Sequence, residues 1–358
     1  MQSSRPAAAH LPHYRRNNFD ALRLLAASAV IFSHAFLLAT GEEAGEPLMR
    51  LTGGQAILGV VGVFVFFIIS GYLVTQSWEQ TGSLPRFALK RALRLYPALA
   101  ACLLVLTFGL GLSITSLATG DYLRDGGTWD FLIWNLLLHT DHNSLPGVRF
   151  TDLGIGTIVD GPLWSLPVEV AMYAMVAVLG LLRLIRLPVL AALLVLGLVC
   201  IRLDTTRYFD FVGSVGWMLG FFVAGMLLYK LRDRAVLDGR LALLALAGSI
   251  ASVPLGVFIL AFPICGGYLV IYLALHPHLP AIPAARFGDL SYGLYIYGWP
   301  VEQTVLHLRP GTGQLMLFLS AFPIAAALAL LSWHLLEKRA LRLKPKHAPR
   351  PSLQAQAL

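Results

Sequence analysis

The sequence is poor in charge. Only 13% of its 358 residues are charged, about half of the share found in soluble domains, whereas 57% are hydrophobic. This composition excludes an ordinary soluble domain and indicates a protein that crosses a membrane several times. The formal net charge of +8 would suggest a nucleic-acid partner in a soluble protein. Here the uneven distribution of basic residues between the two membrane faces explains it, and no nucleic-acid partner is expected.

Cysteine is also scarce. Cys102, Cys200 and Cys265 each lie in an apolar stretch and show no paired spacing, so the sequence supports neither a disulfide framework nor a metal site. A signal peptide is not indicated either, because the first apolar run is too long and no A-x-A site closes it. Internal repeats are not evident, which weighs against an inverted-repeat transporter.

Apolar windows predict an all-α, polytopic membrane protein with about ten transmembrane helices and both termini in the cytoplasm. With the termini inside, 20 of the 27 basic residues fall on the cytoplasmic side and 6 on the other, and Arg23 lies within the membrane. The predicted spans are 19–39, 56–77, 94–118, 164–182, 187–203, 211–229, 241–258, 260–276, 290–308 and 314–336.

The same windows divide the chain into three parts. Residues 1–18 form a cytoplasmic segment, 19–336 the transmembrane domain, and 337–358 a basic cytoplasmic tail. The outer segment 119–163 contains an apolar run at 131–139 that is too short to cross a bilayer. This run predicts a re-entrant or interfacial helix, or a helix packed on the outer surface.

The first span contains two groups that are costly to bury, Arg23 and His34. An ionised side chain at mid-membrane costs on the order of 2.5–3.5 kcal/mol, so such residues usually face a cavity. Eleven residues are close to three helical turns, which places both side chains on one face, roughly 16 Å apart along the axis. The alternative is that Arg23 extends to the interface and His34 is an ordinary buried polar group.

A carboxylate in the fourth predicted span is the expected partner of that histidine. Glu169 and His34 are each predicted to lie roughly 8 Å from the outer boundary of the hydrocarbon core. A carboxylate beside a histidine fixes its tautomer and stabilises the imidazolium, as a general base requires. Pairing of Glu169 with another group is the alternative.

Four basic residues precede the third predicted span. Arg91 and Arg94 are three positions apart and share a helix face, with Arg86 and Lys90 beside them. Guanidinium groups bind phosphate through two parallel hydrogen bonds, so this cluster suits a phosphorylated ligand from the cytosol. The alternative is the ordinary excess of positive charge at a cytoplasmic face.

Five stretches in chain order resemble the acyltransferase 3 family of membrane-bound O-acyltransferases, which modify bacterial cell-surface sugars. They are FDALRLLAASAVIFSHAF (19–36), FFIISGYL (66–73), RFALKRALRLYP (86–97), LWSLPVEVAMY (163–173) and SYGLYIYGWP (291–300). The family's R-x10-H falls on Arg23 and His34, its R-x-x-R on Arg91 and Arg94, and its acidic residue after W-S-L on Glu169.

This resemblance implies transfer of an acyl group, usually acetyl from acetyl-CoA, to a saccharide or lipid-linked saccharide at a bacterial inner membrane. Arg91 and Arg94 would bind the CoA phosphates, Arg23 the pantetheine or thioester region, and His34 would act as general base or as a transient acyl carrier. The motif residues expected to contact substrate are Trp164, Ser165, Tyr173, Ser70, Tyr292 and Tyr295, in runs that by periodicity alone are packing surfaces or cavity linings.

The chain departs from the family pattern at one position, because Gly298 stands where many members have a histidine. It also carries no SGNH-type domain, so the reaction is expected within the membrane domain or with a separate partner. Two other functions remain open. A transporter or flippase for a lipid-linked sugar would use Arg23, His34 and Glu169 as a proton relay. A polysaccharide polymerase or ligase would need a larger outer loop than 119–163.

Overall fold

The structure is a computed structural model that describes residues 17–203, 211–234, 237–277, 279–280 and 282–344. Within these ranges it is all-helical and contains no strand, as the apolar windows predicted. The helices of at least eleven residues are α1 (Phe19–Thr40), α3 (Leu58–Thr81), α4 (Leu84–Leu104), α7 (Gly126–Leu136), α8 (Ser165–Leu181), α9 (Leu187–Leu203), α10 (Phe211–Leu231), α11 (Gly239–Ser252), α13 (Cys265–Leu275), α14 (Ser291–Leu308) and α15 (Gln314–Ser332).

Short helices complete the described chain. They are α2 (Pro47–Leu51), α5 (Leu112–Ile114), α6 (Thr119–Arg124), α12 (Phe258–Ala261) and α16 (Lys338–Leu341). Two π-helical segments, Val105–Gly111 and Trp333–Glu337, extend α4 and α15, and 3-10 turns precede α8 (Gly161–Trp164) and α14 (Ala284–Phe287).

Six helical segments of the described chain are long and apolar enough to cross a membrane, fewer than the ten predicted. They are Phe19–Thr40, Leu58–Thr81, Leu84–Ile114, Gly161–Leu181, Phe211–Leu231 and Gln314–Leu341. Of the other predicted spans, 187–203 and 290–308 form α9 and α14. The windows 241–258 and 260–276 fold as α11, α12 and α13, because the chain turns at Pro254, Gly256 and Pro263.

The third predicted span begins earlier than its hydropathy suggested. Its helix starts at Leu84 rather than at residue 94, since the basic residues that depress the hydropathy of this stretch form the first turns of α4. The predicted apolar run at 131–139 falls on α7, which ends at Leu136. Phe131 and Leu132 are buried under this helix, and Ile133 and Trp134 are exposed on its other side.

Helix α3 is the most buried of the six segments that could cross a membrane, and it packs on α1, α8 and α10. Its contact with α10 depends on two glycines. A Cβ at Gly71 would lie 1.9 Å from the Phe222 carbonyl oxygen, and one at Gly225 would lie 2.0 Å from the Ile68 oxygen. The two backbones therefore touch, which fixes the depth of α3 in the bundle.

The start of α1 is tied to the connection between α13 and α14. The Asn18 side-chain nitrogen Nδ2 donates to the carbonyl oxygens of Leu273 and Pro280. Its side-chain oxygen Oδ1 accepts from the backbone N–H of Ile282. These bonds hold the first turn of α1 next to the segment that leads into α14. Arg23 and Asp289 come together as a result.

Candidate active site

A cavity of about 280 Å³ opens between α1, α3, α4, α8 and α14. It is lined by nine of the thirteen residues that the sequence predicted for the site. They are Arg23, Ser70, Arg91, Arg94, Ser165, Glu169, Tyr173, Tyr292 and Tyr295. His34, Arg86, Lys90 and Trp164 do not line it.

One end of the cavity is a network of paired charges around Asp289. The Asp289 carboxylate lies 2.7 Å from Arg94 Nη2 and 3.8 Å from Arg23 Nη1, and it accepts a hydrogen bond from Ser291 Oγ at 2.7 Å. Burial acts to raise the pKa of Asp289, but the two guanidinium groups outweigh burial and hold that pKa below its ordinary value. Asp289 therefore stays ionised and joins α1 to α4.

Glu337 is the second acid of this network. Its carboxylate is 3.9 Å from Arg94 Nη1, and Ser332 Oγ donates a hydrogen bond to its other oxygen at 3.1 Å. The residue lies in the π-helical segment that ends α15, where the wider turn directs its side chain towards α4. Sequence reasoning missed Glu337 and Asp289; the available signal was an acid two residues before the SYGLYIY run and another just after the last predicted span.

Arg91 has no acidic partner among the described residues. Its Nε is buried without a hydrogen-bond partner there, and Nη2 donates to Ser77 Oγ at 3.4 Å. The guanidinium carbon lies 5.6 Å from the Tyr173 ring centre and 5.9 Å from that of Phe87. These rings orient the group by cation–π attraction without neutralising its charge.

The other two basic residues predicted for the site lie outside the cavity. Lys90 Nζ donates to Thr81 Oγ1 at 2.9 Å, and Arg86 is exposed on the first turn of α4. Both are close enough to Arg91 in sequence to add to the positive potential there. Neither contacts the enclosed space.

The predicted hydrogen bond between His34 and Glu169 is absent, which corrects the sequence-based expectation. The Glu169 carboxylate accepts from Tyr173 Oη at 2.5 Å and from Ser70 Oγ at 3.3 Å. Tyr173 is four residues further along α8, so it reaches the carboxylate on the same helix face. Two residues at equal depth need not face each other, since depth along a helix does not determine the direction of a side chain.

His34 instead faces α14. Its ring lies edge-on to Trp299, with 5.0 Å between ring centres, and its Nδ1 is buried without a hydrogen-bond partner among the described residues. Arg23, three turns earlier on α1, faces Asp289 at the start of α14. The two side chains thus share the α14 side of the helix, as their eleven-residue spacing predicted.

Beside the cavity, the start of α8 and the segment before it cover the middle of α14. Tyr295 Oη and Ser165 Oγ are 2.7 Å apart, and Trp299 Nε1 donates to the Ile158 carbonyl oxygen at 3.0 Å. The adjoining loop carries Asp160, which is buried with both oxygens unpartnered among the described residues, and burial raises its pKa well above the ordinary value. Glu302, one turn after Trp299, is also fully buried and unpartnered there.

Gly298, which stands where many family members have a histidine, lies at a close contact between α14 and α1. A Cβ added to Gly298 would lie 2.6 Å from Ile31 Cγ1 on α1. A larger residue here would force the Ile31 side chain or one of the two helices to shift. Gly298 therefore belongs to the close contact between α14 and α1, the helix that carries His34.

This arrangement, with cations and a carboxylate around one buried cavity and a histidine above it in a helical membrane bundle, is that of a membrane-embedded group-transfer enzyme. The sequence matches the acyltransferase domain family over residues 16–336, nearly the whole chain. The protein belongs to that family, and it is an acyltransferase of the O-acetyltransferase type.

Three relatives support this placement. An O-acetyl transferase of Shigella phage Sf6 is 29% identical over 345 residues, covering 93% of this chain and 98% of the relative. Nodulation protein 10 of Rhizobium leguminosarum bv. viciae is 29% identical over 357 residues, covering 92% and 94%. The acyltransferase MdmB of Streptomyces mycarofaciens is 30% identical over 164 residues, covering 44% and 38%. No solved structure matches the chain.

Proposed function

We propose that the protein moves an acyl group, acetyl in the simplest case, from acyl-CoA in the cytoplasm to a hydroxyl of a saccharide or lipid-linked saccharide on the other side of a bacterial inner membrane. We keep both chain termini in the cytoplasm, as the distribution of basic residues predicts. In this orientation the Arg91 and Arg94 end of the cavity lies on the side where acyl-CoA is available. One observation carries the proposal. The cavity between α1, α3, α4, α8 and α14 is lined by Glu169 and by basic residues whose charge is not fully neutralised within the bundle.

The charges of the cavity indicate which residue binds the phosphate of the acyl donor. Arg91 is the basic residue of the cavity best suited to a phosphate, because its charge is not neutralised by a nearby carboxylate and its buried Nε lacks an acceptor. A charge-assisted hydrogen bond to phosphate would satisfy that nitrogen. The pantetheine arm would then extend past Arg23 towards His34, over the roughly 16 Å that separate the two residues along α1.

The chemistry is assigned to His34. As general base it removes the proton of the acceptor hydroxyl while the oxygen attacks the thioester carbonyl; the C–S bond breaks, and CoA leaves as the thiol after taking up the proton. As acyl carrier it attacks the thioester carbonyl first; the C–S bond breaks, and CoA leaves as the thiol with the imidazole proton. The acceptor hydroxyl then attacks the acyl-imidazole, the acyl C–N bond breaks, and the hydroxyl proton returns to the imidazole. Incubation with radiolabelled acetyl-CoA without acceptor, followed by rapid denaturation at neutral pH, separates these routes, since only the second leaves label on the protein.

The role of Glu169 follows from its partners. With Ser70 and Tyr173 as donors, its carboxylate is held on the cavity wall, where it shapes the donor channel rather than orienting His34. The residues proposed to contact the substrates are Ser70, Ser165, Tyr173, Tyr292 and Tyr295, all of which line the cavity, with Trp164 in the turn next to Ser165.

The experiment is release of CoA from acetyl-CoA by the purified protein, with crude envelope polysaccharide as acceptor. We expect release by the wild type, its loss in His34→Ala, and release by Arg91→Ala only at raised acetyl-CoA concentrations, with both variants folded in detergent. A wild type that consumes neither acetyl-CoA nor succinyl-CoA with any acceptor would contradict the proposal and favour a transporter, which has no use for a thioester.

A further inference from the structure

The end of the described chain returns to the cavity. After α15, Trp333 packs against Gly288, where a Cβ would meet the indole at 2.2 Å, and Glu337 approaches Arg94. These contacts seat the segment from Trp333 to Lys344 against α4 and the start of α14. As a result Trp333, Leu341 and Lys344 form part of the cavity wall. The described part of the segment predicted as a basic cytoplasmic tail, 337–344, therefore packs against the helices around the cavity.

The cavity carries more positive charge than its acids neutralise. Its wall contains four basic residues, Arg23, Arg91, Arg94 and Lys344, and two acidic ones, Asp289 and Glu169. Arg23 and Arg94 share Asp289, and Arg94 also approaches Glu337. Glu169 is held by Ser70 and Tyr173 and forms no ion pair in the described structure. The surplus charge thus belongs to Arg91 and Lys344.

The surroundings of Lys344 disfavour its charged form. Burial lowers its pKa to about 8, and the nearby cations Arg91, Arg94 and Lys90 of α4 lower it in the same direction, with only Asp289 acting against them. Like charges held together in a partly buried site repel each other. A bound anion converts this repulsion into attraction, and phosphate, with up to two negative charges near neutral pH, suits a pair of cations.

We propose that Lys344 completes, with Arg91, a site for a phosphate group of the acyl donor, so that the segment after α15 recognises the nucleotide end of CoA. This inference rests on the proposed function. Two phosphate sources in CoA share the required chemistry, the 3′-phosphate monoester and the diphosphate. The test separates them by the compounds used.

Affinity for CoA, dephospho-CoA and pantetheine is measured by calorimetry on the purified full chain, so the result does not depend on turnover. We expect Lys344→Ala to weaken CoA binding about 10-fold or more, the loss typical of one hydrogen bond to a charged group, and to leave pantetheine binding unchanged. Lys344→Arg should restore most of the affinity for CoA. Lys338→Ala is the matched control, because Lys338 is exposed on α16 and does not line the cavity.

The compounds locate the phosphate. If Lys344→Ala weakens CoA but not dephospho-CoA, the lysine binds the 3′-monoester; if it weakens both, it binds the diphosphate. Equal loss for CoA, dephospho-CoA and pantetheine would show a merely structural role and overturn the inference, as would unchanged CoA affinity. If CoA binds in this manner and no thioester is consumed, the proposed function fails while the phosphate site stands.

The pH dependence gives a second readout. Lys344 is charged below its pKa of about 8, so CoA affinity of the wild type should fall as the pH rises through that value. Phosphate is already fully ionised there, because its second pKa is about 6. Lys344→Arg should remove the decline, since the guanidinium stays charged. A decline of the same size in the arginine variant would contradict the assignment.

Discussion

The two ends of the site differ in how their buried polar groups are satisfied. At the start of α1 and α14, Arg23, Arg94, Asp289 and Glu337 form a connected set of ion pairs. Around Trp299, by contrast, His34 Nδ1 and the carboxylates of Asp160 and Glu302 are buried without partners within the described chain. The paired end is rigid without a ligand. The unpaired end retains groups whose burial is costly until a hydrogen-bonding partner arrives.

We propose that this difference separates residues that hold the structure from residues that meet a substrate. A paired arginine such as Arg94 has its charge committed within the protein, whereas Arg91 has its charge available. By the same distinction, we propose that hydroxyl groups of the acceptor form hydrogen bonds with His34 Nδ1 and with the carboxylates of Asp160 and Glu302. Four substitutions test the comparison, beginning with the largest expected effect.

His34→Ala tests the unpaired end. We expect the rate of acyl transfer to fall by about 10³-fold, within the range for loss of a positioned acid–base group. The protein should remain folded, because Nδ1 makes no hydrogen bond within the described structure that the substitution could break. Transfer is measured by CoA release, and folding by size-exclusion chromatography and circular dichroism. Transfer within threefold of the wild type would remove His34 from the chemistry.

Asp289→Asn tests the paired end. Loss of the negative charge leaves Arg23 and Arg94 without their shared partner, and we expect the free energy of unfolding to fall by about 3 kcal/mol. Thermal unfolding in detergent measures the change. Because the folded-state pKa of Asp289 lies below 3.8, its contribution is present above that pH and is lost as the pH falls through the lower value.

The variant should therefore differ from the wild type at pH 7 and approach it in strong acid. Arg94→Met in the same background is the control. If the two residues act as a pair, the double variant should lose less than the sum of the single losses. Additive losses would show that the contact between Arg94 and Asp289 contributes little to stability.

Arg91→Ala tests whether a free cation and a paired cation on one helix have different roles. We expect KM for acetyl-CoA to rise about 30-fold, as loss of a charge-assisted hydrogen bond implies, with little change in the unfolding temperature. Arg94→Ala is the matched comparison and should mainly lower stability, since it leaves Asp289 and Glu337 unpaired. The reverse pattern would contradict the division of the cavity proposed here.

Tyr173→Phe should have the smallest effect. It removes the shorter of the two hydrogen bonds to Glu169 and keeps the ring beside Arg91. A loss of about 1 kcal/mol in unfolding free energy is expected for one such bond, with transfer reduced less than tenfold. Ser70→Ala provides the control for the weaker contact. A loss of transfer as large as that of His34→Ala would place Tyr173 in the chemical step.

Much of the site could be predicted from local sequence because its signals are local. The eleven-residue spacing of Arg23 and His34 predicted that both side chains lie on one side of α1. The i,i+3 spacing of Arg91 and Arg94 predicted that both lie on one face of α4. Charge inside an apolar span identified Glu169. The third predicted span began at residue 94, ten residues after the start of α4 at Leu84, because a hydropathy average registers charge even where the helix continues through it.

The missed residues depend on contacts between distant parts of the chain. Asp289 is separated from Arg94 by 195 positions, and no sequence pattern near either residue predicts that they form an ion pair. Glu337 reaches Arg94 through a π-helical turn, which has no simple periodic signature. Lys344 resembles any other basic residue of a tail until the packing of Trp333 on Gly288 is known.

The sequence by itself determined that this protein is a helical membrane enzyme of the acyltransferase family, since composition, helical spacing and ordered motifs are properties of the chain. Only the tertiary structure decided the partners: Glu169 with Tyr173 and Ser70, His34 with Trp299, and Arg94 with Asp289. The physical reason is that helical periodicity fixes the height and relative angle of side chains on one helix. The rotation of that helix against its neighbours is set by packing, including the backbone contacts at Gly71 and Gly225 and the contact of Gly298 with the Ile31 side chain.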